Sequence, residues 1–143
     1  MKRVLICAAA STALLVPGSA LGGTISQSVY FGELDGVEGS EVKLKARTGD
    51  HGTRVIAVAV RDVPVNCEGD EEFVLPRVVL RGKIPVEGHK FSAEDDNGKT
   101  TFKVEGRVGE RKATGRFRYF GEMDAGDQTL ECDTGRQSFT ARV

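Results

Sequence analysis

Any chemistry in this chain rests on few side chains. The 143 residues hold three cysteines, two histidines and no tryptophan. Cys67 and Cys132 form the most definite constellation. Once an N-terminal leader carrying Cys7 is discounted, they are the two thiols that remain. Two thiols in an exported chain are most simply a disulfide. The rival is half of a zinc site, but two thiolates leave a tetrahedral shell incomplete, and His51 and His89 lack ligand spacing. His51 stands in Thr48-Gly49-Asp50-His51-Gly52, where Asp50 would orient it as a base. No nucleophile motif accompanies it, so a surface-loop histidine is the reading. His89 is expected on the same strand side as Phe91, partly covered.

The carboxylates and glycines point to turns. Glu68, Asp70, Glu71 and Glu72 surround Gly69. They offer calcium several oxygens, but their spacing is not that of an EF-hand loop, and a solvated turn is the simpler reading. Asp95 and Asp96 lead into Asn97-Gly98, a turn dipeptide. Gly106, Gly109 and Gly115 mimic a phosphate loop only loosely, and no helix N-terminus follows to complete a cradle. Catalytic, metal-binding and cofactor-binding residues are therefore left unassigned, and no enzyme activity is expected. One exposed row is locally basic: Lys99, Thr101, Lys103, Glu105 and Arg107, beside Lys112, Thr114, Arg116 and Arg118. It suits an acidic polymer at the cell surface, or it keeps a sheet soluble and its edges unpaired.

Strands must position these residues. After the leader the pattern alternates and helical periodicity is absent. Val42, Leu44 and Ala46 oppose Glu41, Lys43, Lys45 and Arg47 across a half-buried strand. Val78, Leu80, Ile84 and Val86 oppose Arg77, Arg81 and Lys83 in another, with Gly82 on the inward side marking a bend or bulge. Further strands are expected at Ser28–Leu34 and Thr53–Asp62. The latter is apolar on both faces, which suits a strand covered on both sides or one at the centre of a sheet. Asn97-Gly98 predicts a two-residue type I′ loop, pairing Asp96 with Lys99, Ala93 with Phe102 and Phe91 with Val104. A loop at Gly109-Glu110 sets Phe102 against Phe117 and Val104 against Gly115. A loop at Thr134-Gly135 sets Leu130 against Phe139, with Cys132 on the inward side. Each keeps apolar residues facing apolar residues, as one buried face requires.

The first 22 residues read as a signal peptide. Lys2 and Arg3 precede the uncharged run Val4 to Val16, and Pro17, Gly18, Ser19 and Ala20 end it in small residues. Cleavage is expected after Ala20 or Gly22, leaving residues 23–143 as a single domain. The run is shorter than the ~20 residues a membrane-spanning helix needs, so the mature form is expected to have no membrane span. Cys7 lies too early in the run for a lipid anchor. The whole chain carries 20 Lys and Arg against 21 Asp and Glu, a net charge of −1. Losing Lys2 and Arg3 brings the mature form to about −3 by the same count. That balance argues against nucleic acid as a partner.

Two stretches carry a likeness to known proteins. Cys132-Asp133-Thr134-Gly135 followed by Phe139-Thr140-Ala141-Arg142 is one. Gly106-Arg107-Val108 through Ala113-Thr114-Gly115-Arg116-Phe117 is the other. With the leader and the cysteine pair, the chain resembles small secreted actinobacterial β-rich proteins of unassigned function. The resemblance spans most of the mature chain. It implies a β fold and export, and carries no catalytic residues.

The expectation is an all-β fold, an antiparallel up-and-down meander of about eight or nine strands, barrel or barrel-like, with a two-sheet sandwich as the alternative. The expected role is a secreted, non-catalytic domain binding a cell-surface polymer or protein. A small-ligand barrel carrier is the second reading, and an exported hydrolase the third.

Overall fold

The computed structural model describes residues 23–143; the leader expected at residues 1–22, with Cys7, lies outside the described residues. Nine antiparallel strands form one sheet, and there is no helix among the described residues. They are β1 (Ser26–Leu34), β2 (Val37–Gly49), β3 (Gly52–Cys67), β4 (Glu71–Pro85), β5 (Lys90–Asp96), β6 (Thr100–Val108), β7 (Lys112–Ala125), β8 (Gln128–Asp133) and β9 (Gln137–Arg142). Hydrogen bonds order them β4-β3-β2-β1-β9-β7-β6-β5. β8 lies off that path and joins β3 to β7. The pairings therefore close a ring through β3, β2, β1, β9, β7 and β8. The architecture is barrel-like, one sheet rather than the two of a sandwich. Its edge strands β4 and β5 are bridged at Glu87 and Lys90, at the turn that links them.

The alternating residues take the faces their pattern demands. Val42, Leu44 and Ala46 are buried, and so are Phe102, Val104 and Val108. β3 is an interior strand next to the edge strand β4, paired with β2 and β4 and, at its end, with β8. Its apolar residues change parity along its length. Ile56 is skipped in the register with both neighbours, a bulge that lets Val55 and Val58 both point inward. Asp62, at φ 54°, makes a second change, after which Val63 and Val65 are buried. A strand that turns over twice reads as apolar on both sides.

Three turns differ from the sequence expectation. Asp96 pairs with Thr101 and Ala93 with Val104, so the loop sits one residue later, at Gly98-Lys99. Asn97 decides this. Its Oδ1 accepts hydrogen bonds from the backbone N–H groups of Lys99 and Thr100, while Asp96 Oδ1 accepts one from Gly98. Likewise Gly109 N–H donates to Lys112 O, moving that loop to Glu110-Arg111 and setting Phe102 against Tyr119 and Val104 against Phe117. Both registers move by two residues, so every side chain keeps its face. The type I′ geometry appears elsewhere, at Gly88-His89, where φ is 54° and 66° and Glu87 and Lys90 exchange both backbone hydrogen bonds.

The expected hairpin at Thr134-Gly135 does not form. β8 and β9 follow one another along the same side of β7: Leu130 pairs with Met123, and Phe139 with Gly115. Thr134 stays in the ladder, exchanging its backbone N–H and side-chain oxygen with Tyr119 O and N. One residue more on this strand than on β7 is absorbed around Gly135, at φ 64°. A glycine with positive φ serves a bulge as well as a turn.

The inner face is filled from most strands. Tyr30, Leu44, Val55, Leu80, Phe91, Phe102, Phe117 and Phe139 belong to one buried cluster. Phe102 meets Phe117 and Tyr119 edge-on, at 5.7 and 6.0 Å between centroids. Gly106 and Gly115 pair with each other. An added Cβ would lie 2.9 Å from Phe91 Cε1 at Gly106, and 2.7 Å from Phe139 Cζ at Gly115. The two glycines are thus the gaps into which those rings fit. Tyr30, a residue of β1, donates its hydroxyl to Gly109 O at 2.7 Å across the sheet.

Candidate functional site

Cys67 ends β3 and Cys132 lies near the end of β8. They are direct cross-strand partners, and their sulfurs form a disulfide. Val65, Leu75, Met123 and Leu130 pack around it in a second, smaller cluster. The disulfide stitches the β3–β4 hairpin to the β7–β8 hairpin, forming a double arm. Cys132 and Leu130 share the inward side, as expected. The arm is acidic throughout. Asp62, Glu68, Asp70, Glu71 and Glu72 lie on one hairpin; Glu122, Asp124, Asp127, Glu131 and Asp133 lie on the other. Neither Asp62–Pro76 nor Phe120–Asp133 contains Lys or Arg. Glu68 has a local task, accepting the Glu131 N–H through its side chain and donating its own N–H to Glu131 O.

The histidines lie apart in turns. Asp50 and His51 form the exposed two-residue loop between β2 and β3. His89 is exposed and precedes β5, a correction to the partly covered strand position expected of it. The type I′ turn explains this, since it places Gly88 and His89 outside the ladder. His89 Nδ1 lies 3.2 Å from Val108 O. Among the described residues, no group of three or more His, Cys, Asp or Glu is placed to hold a metal ion.

The basic row on β6 and β7 faces outward as expected, but carboxylates answer its central cations. Lys103 pairs with Glu94 at 3.0 Å, Arg116 with Glu105, and Arg118 with both oxygens of Asp133. The Arg118 guanidinium holds the Asp133 carboxyl below its ordinary range, aided by the Gly135 N–H and opposed by partial burial. Phe120 lies beneath Arg118, 4.7 Å from the guanidinium carbon to the ring centroid. Within this row is a shallow, open depression of about 970 Å³, lined by Glu105, Arg107, Thr114 and Arg116 of the row and by Phe91 and Phe139. Half of the row's cations are thus answered, while Lys99, Arg107 and Lys112 form no ion pair among the described residues.

The opposite part of the sheet is different. β2 presents Lys43, Lys45 and Arg47 outward, β3 presents Arg54 and Arg61, and β4 presents Arg77, Arg81 and Lys83. Register aligns them: Lys45–Ala57–Arg81, Lys43–Ala59–Val79 and Glu41–Arg61–Arg77 run across the three strands. Ala57 and Ala59 therefore floor a furrow between two cationic rows. Glu41 is the one carboxylate among these cross-strand rows. None of these cations forms an ion pair among the described residues. Lys43 also lies 5.0 Å over the ring of Phe31, which is 53% exposed on β1. Alternation revealed the two rows separately. Their meeting across β3 depends on pairing, which alternation does not encode.

Comparisons with protein families, with curated proteins and with solved structures find no match to this chain. Among the described residues no helix is long and apolar enough to cross a membrane.

Proposed function

We propose that this chain is an exported, non-catalytic domain that binds a cell-surface component through the outside of its sheet. The observation that carries the reading is the row of unanswered cations on β2, β3 and β4. Cations gathered on one face hold a field that a balanced surface lacks. The leader and the disulfide are both compatible with export. The likeness to secreted actinobacterial proteins agrees with it. A ligand carrier would need an enclosed cavity, whereas the depression beside Phe91 and Phe139 is open to solvent.

Co-sedimentation with purified cell-envelope material tests the proposal, beside a turnover screen on esters, peptides and glycans. Saturable binding without turnover is the expected result. Turnover with no envelope binding refutes it.

A further inference from the structure

We infer that the furrow between β2 and β4 is a binding site for an extended, single-stranded polyanion, a linear polymer with phosphate or carboxylate groups at regular intervals. This rests on the surface-binding reading and names the site and the ligand's chemistry. Three observations carry it.

The first is spacing. Lys43, Lys45 and Arg47 alternate along β2, so successive cations recur at about 7 Å, twice the rise of a strand. Arg81 and Lys83 repeat this on β4. The two rows stand two strand spacings apart, on the order of 10 Å. A thin chain laid along β3 would meet cations on both sides, whereas a duplex is wider than the furrow.

The second is the floor. Ala57 is half-buried and Ala59 buried, and no apolar side chain larger than Val79 stands beside them on β4; the same row continues past Lys43 to the exposed Phe31 on β1. Small residues let a polymer backbone approach the cations closely. The floor offers no aromatic platform of the kind that binds single-stranded nucleic acid by stacking bases. Charge is the main recognition available here, with the Phe31 ring under Lys43 the one exposed aromatic beside the furrow among the described residues.

The third is the boundary. Past Arg61 and Arg77 the same two strands enter the acidic arm, beginning at Asp62 on β3 and reaching Glu72 and Glu71 on β4. An anionic chain is repelled there. The furrow therefore has a closed, acidic end, and an open end towards Arg47 and Arg54, which pair with each other.

The test uses the chain as isolated from cells expressing it, with polyphosphate, polyglutamate, neutral dextran and duplex DNA as probes. The variants are Lys45→Glu/Arg81→Glu in the furrow and Lys112→Glu on β7. Circular dichroism melts confirm that each is folded. Wild type is expected to bind polyphosphate or polyglutamate, and the tighter of the two shows which anionic group is preferred. Binding should weaken with salt, with a log–log slope of about −3 to −5 for five or six contacts, taking the single-strand value per contact. Lys45→Glu/Arg81→Glu should weaken binding at least thirtyfold, and Lys112→Glu less than threefold. Retention of wild-type affinity by the furrow variant overturns the assignment. So does duplex DNA bound as tightly as either linear polymer. Salt-sensitive self-association with no polymer bound, lost in the furrow variant, would instead give the furrow to the acidic arm of a second copy. Envelope binding that survives Lys45→Glu/Arg81→Glu leaves the surface-binding reading standing and removes the furrow from it. Polyanion binding without envelope binding does the reverse.

Discussion

Replacing both bridged cysteines, Cys67→Ala/Cys132→Ala, should lower stability by about 4 kcal/mol. The bridge spans 65 residues of sequence. On the chain-entropy account, releasing such a loop restores about 14 cal/mol/K to the unfolded chain, or ~4 kcal/mol at 25 °C. Besides the bridge, β8 is held to β3 by the short register of Asn66 with Asp133 and Cys67 with Cys132, two hydrogen bonds between Glu68 and Glu131, and the small cluster of Val65, Leu75, Met123 and Leu130. The unfolding entropy of a domain this size is on the order of 0.25 kcal/mol/K, so the melting temperature should fall by roughly 15 °C. The assay is a thermal melt followed by circular dichroism on oxidised wild type, reduced wild type and the double variant. The last two should coincide. If the double variant melts within about 3 °C of oxidised wild type, the bridge is absent or contributes nothing to stability, and the reasoning fails.

Phe102→Ala removes the ring that meets Phe117 and Tyr119 edge-on and should cost about 3–5 kcal/mol, read from urea midpoints; a near-neutral change would contradict its place in the core. Gly115→Ala puts a methyl group 2.5 Å from Glu105 O and 2.7 Å from Phe139 Cζ. The backbone oxygen cannot give way cheaply, so a loss of about 1–3 kcal/mol is expected, and a stabilised variant would show that the ring moves freely. Asp133 carries the pH dependence. Its folded pKa is depressed, so its contribution is fully present above the unfolded value near 3.9 and is lost as pH falls through the lower, folded value. The pair is substantially exposed, so solvent screening keeps this contribution small. Asp133→Asn should be slightly less stable than wild type at pH 7 and converge with it near pH 2, as denaturant midpoints at the two pH values would reveal.

Faces were readable from sequence, while partners and turns were less so. The buried residues of β2 and β6 followed directly from alternation, because burying the wrong parity is costly. The loops after Asp96 and Val108 each lay one residue beyond their expected positions. Patterning cannot see such an error, since moving a register by two leaves each apolar residue on its own side. Hydrogen bonds from Asn97 and Gly109 settle it. Gly135 misled for a related reason: its conformation serves a hairpin or a bulge equally, and only the length of β7 lets it pair with β8 and β9 in succession. The candidate site was half visible. Lys103, Arg116 and Arg118 were placed outward correctly, but Asp133 reaches Arg118 from β8, through a pairing the alternating pattern does not specify. Arg81 and Lys45 lie far apart in sequence, and they face each other only because β3 separates them in the sheet.

The reversals within β3 make one strand the shared beam of two hydrophobic assemblies. Val55, Val58 and Val60 belong to the large one, Val65 and Cys67 to the small one, and Leu75 touches both. Cooperativity should divide between Val63, the last residue of β3 in the large assembly, and Val65. With the bridge reduced, amide protons at Val65 and Cys67 should exchange through a local opening, while those at Val58 and Val60 wait for global unfolding. The strand that organises the molecule would then be the one along which it begins to come apart.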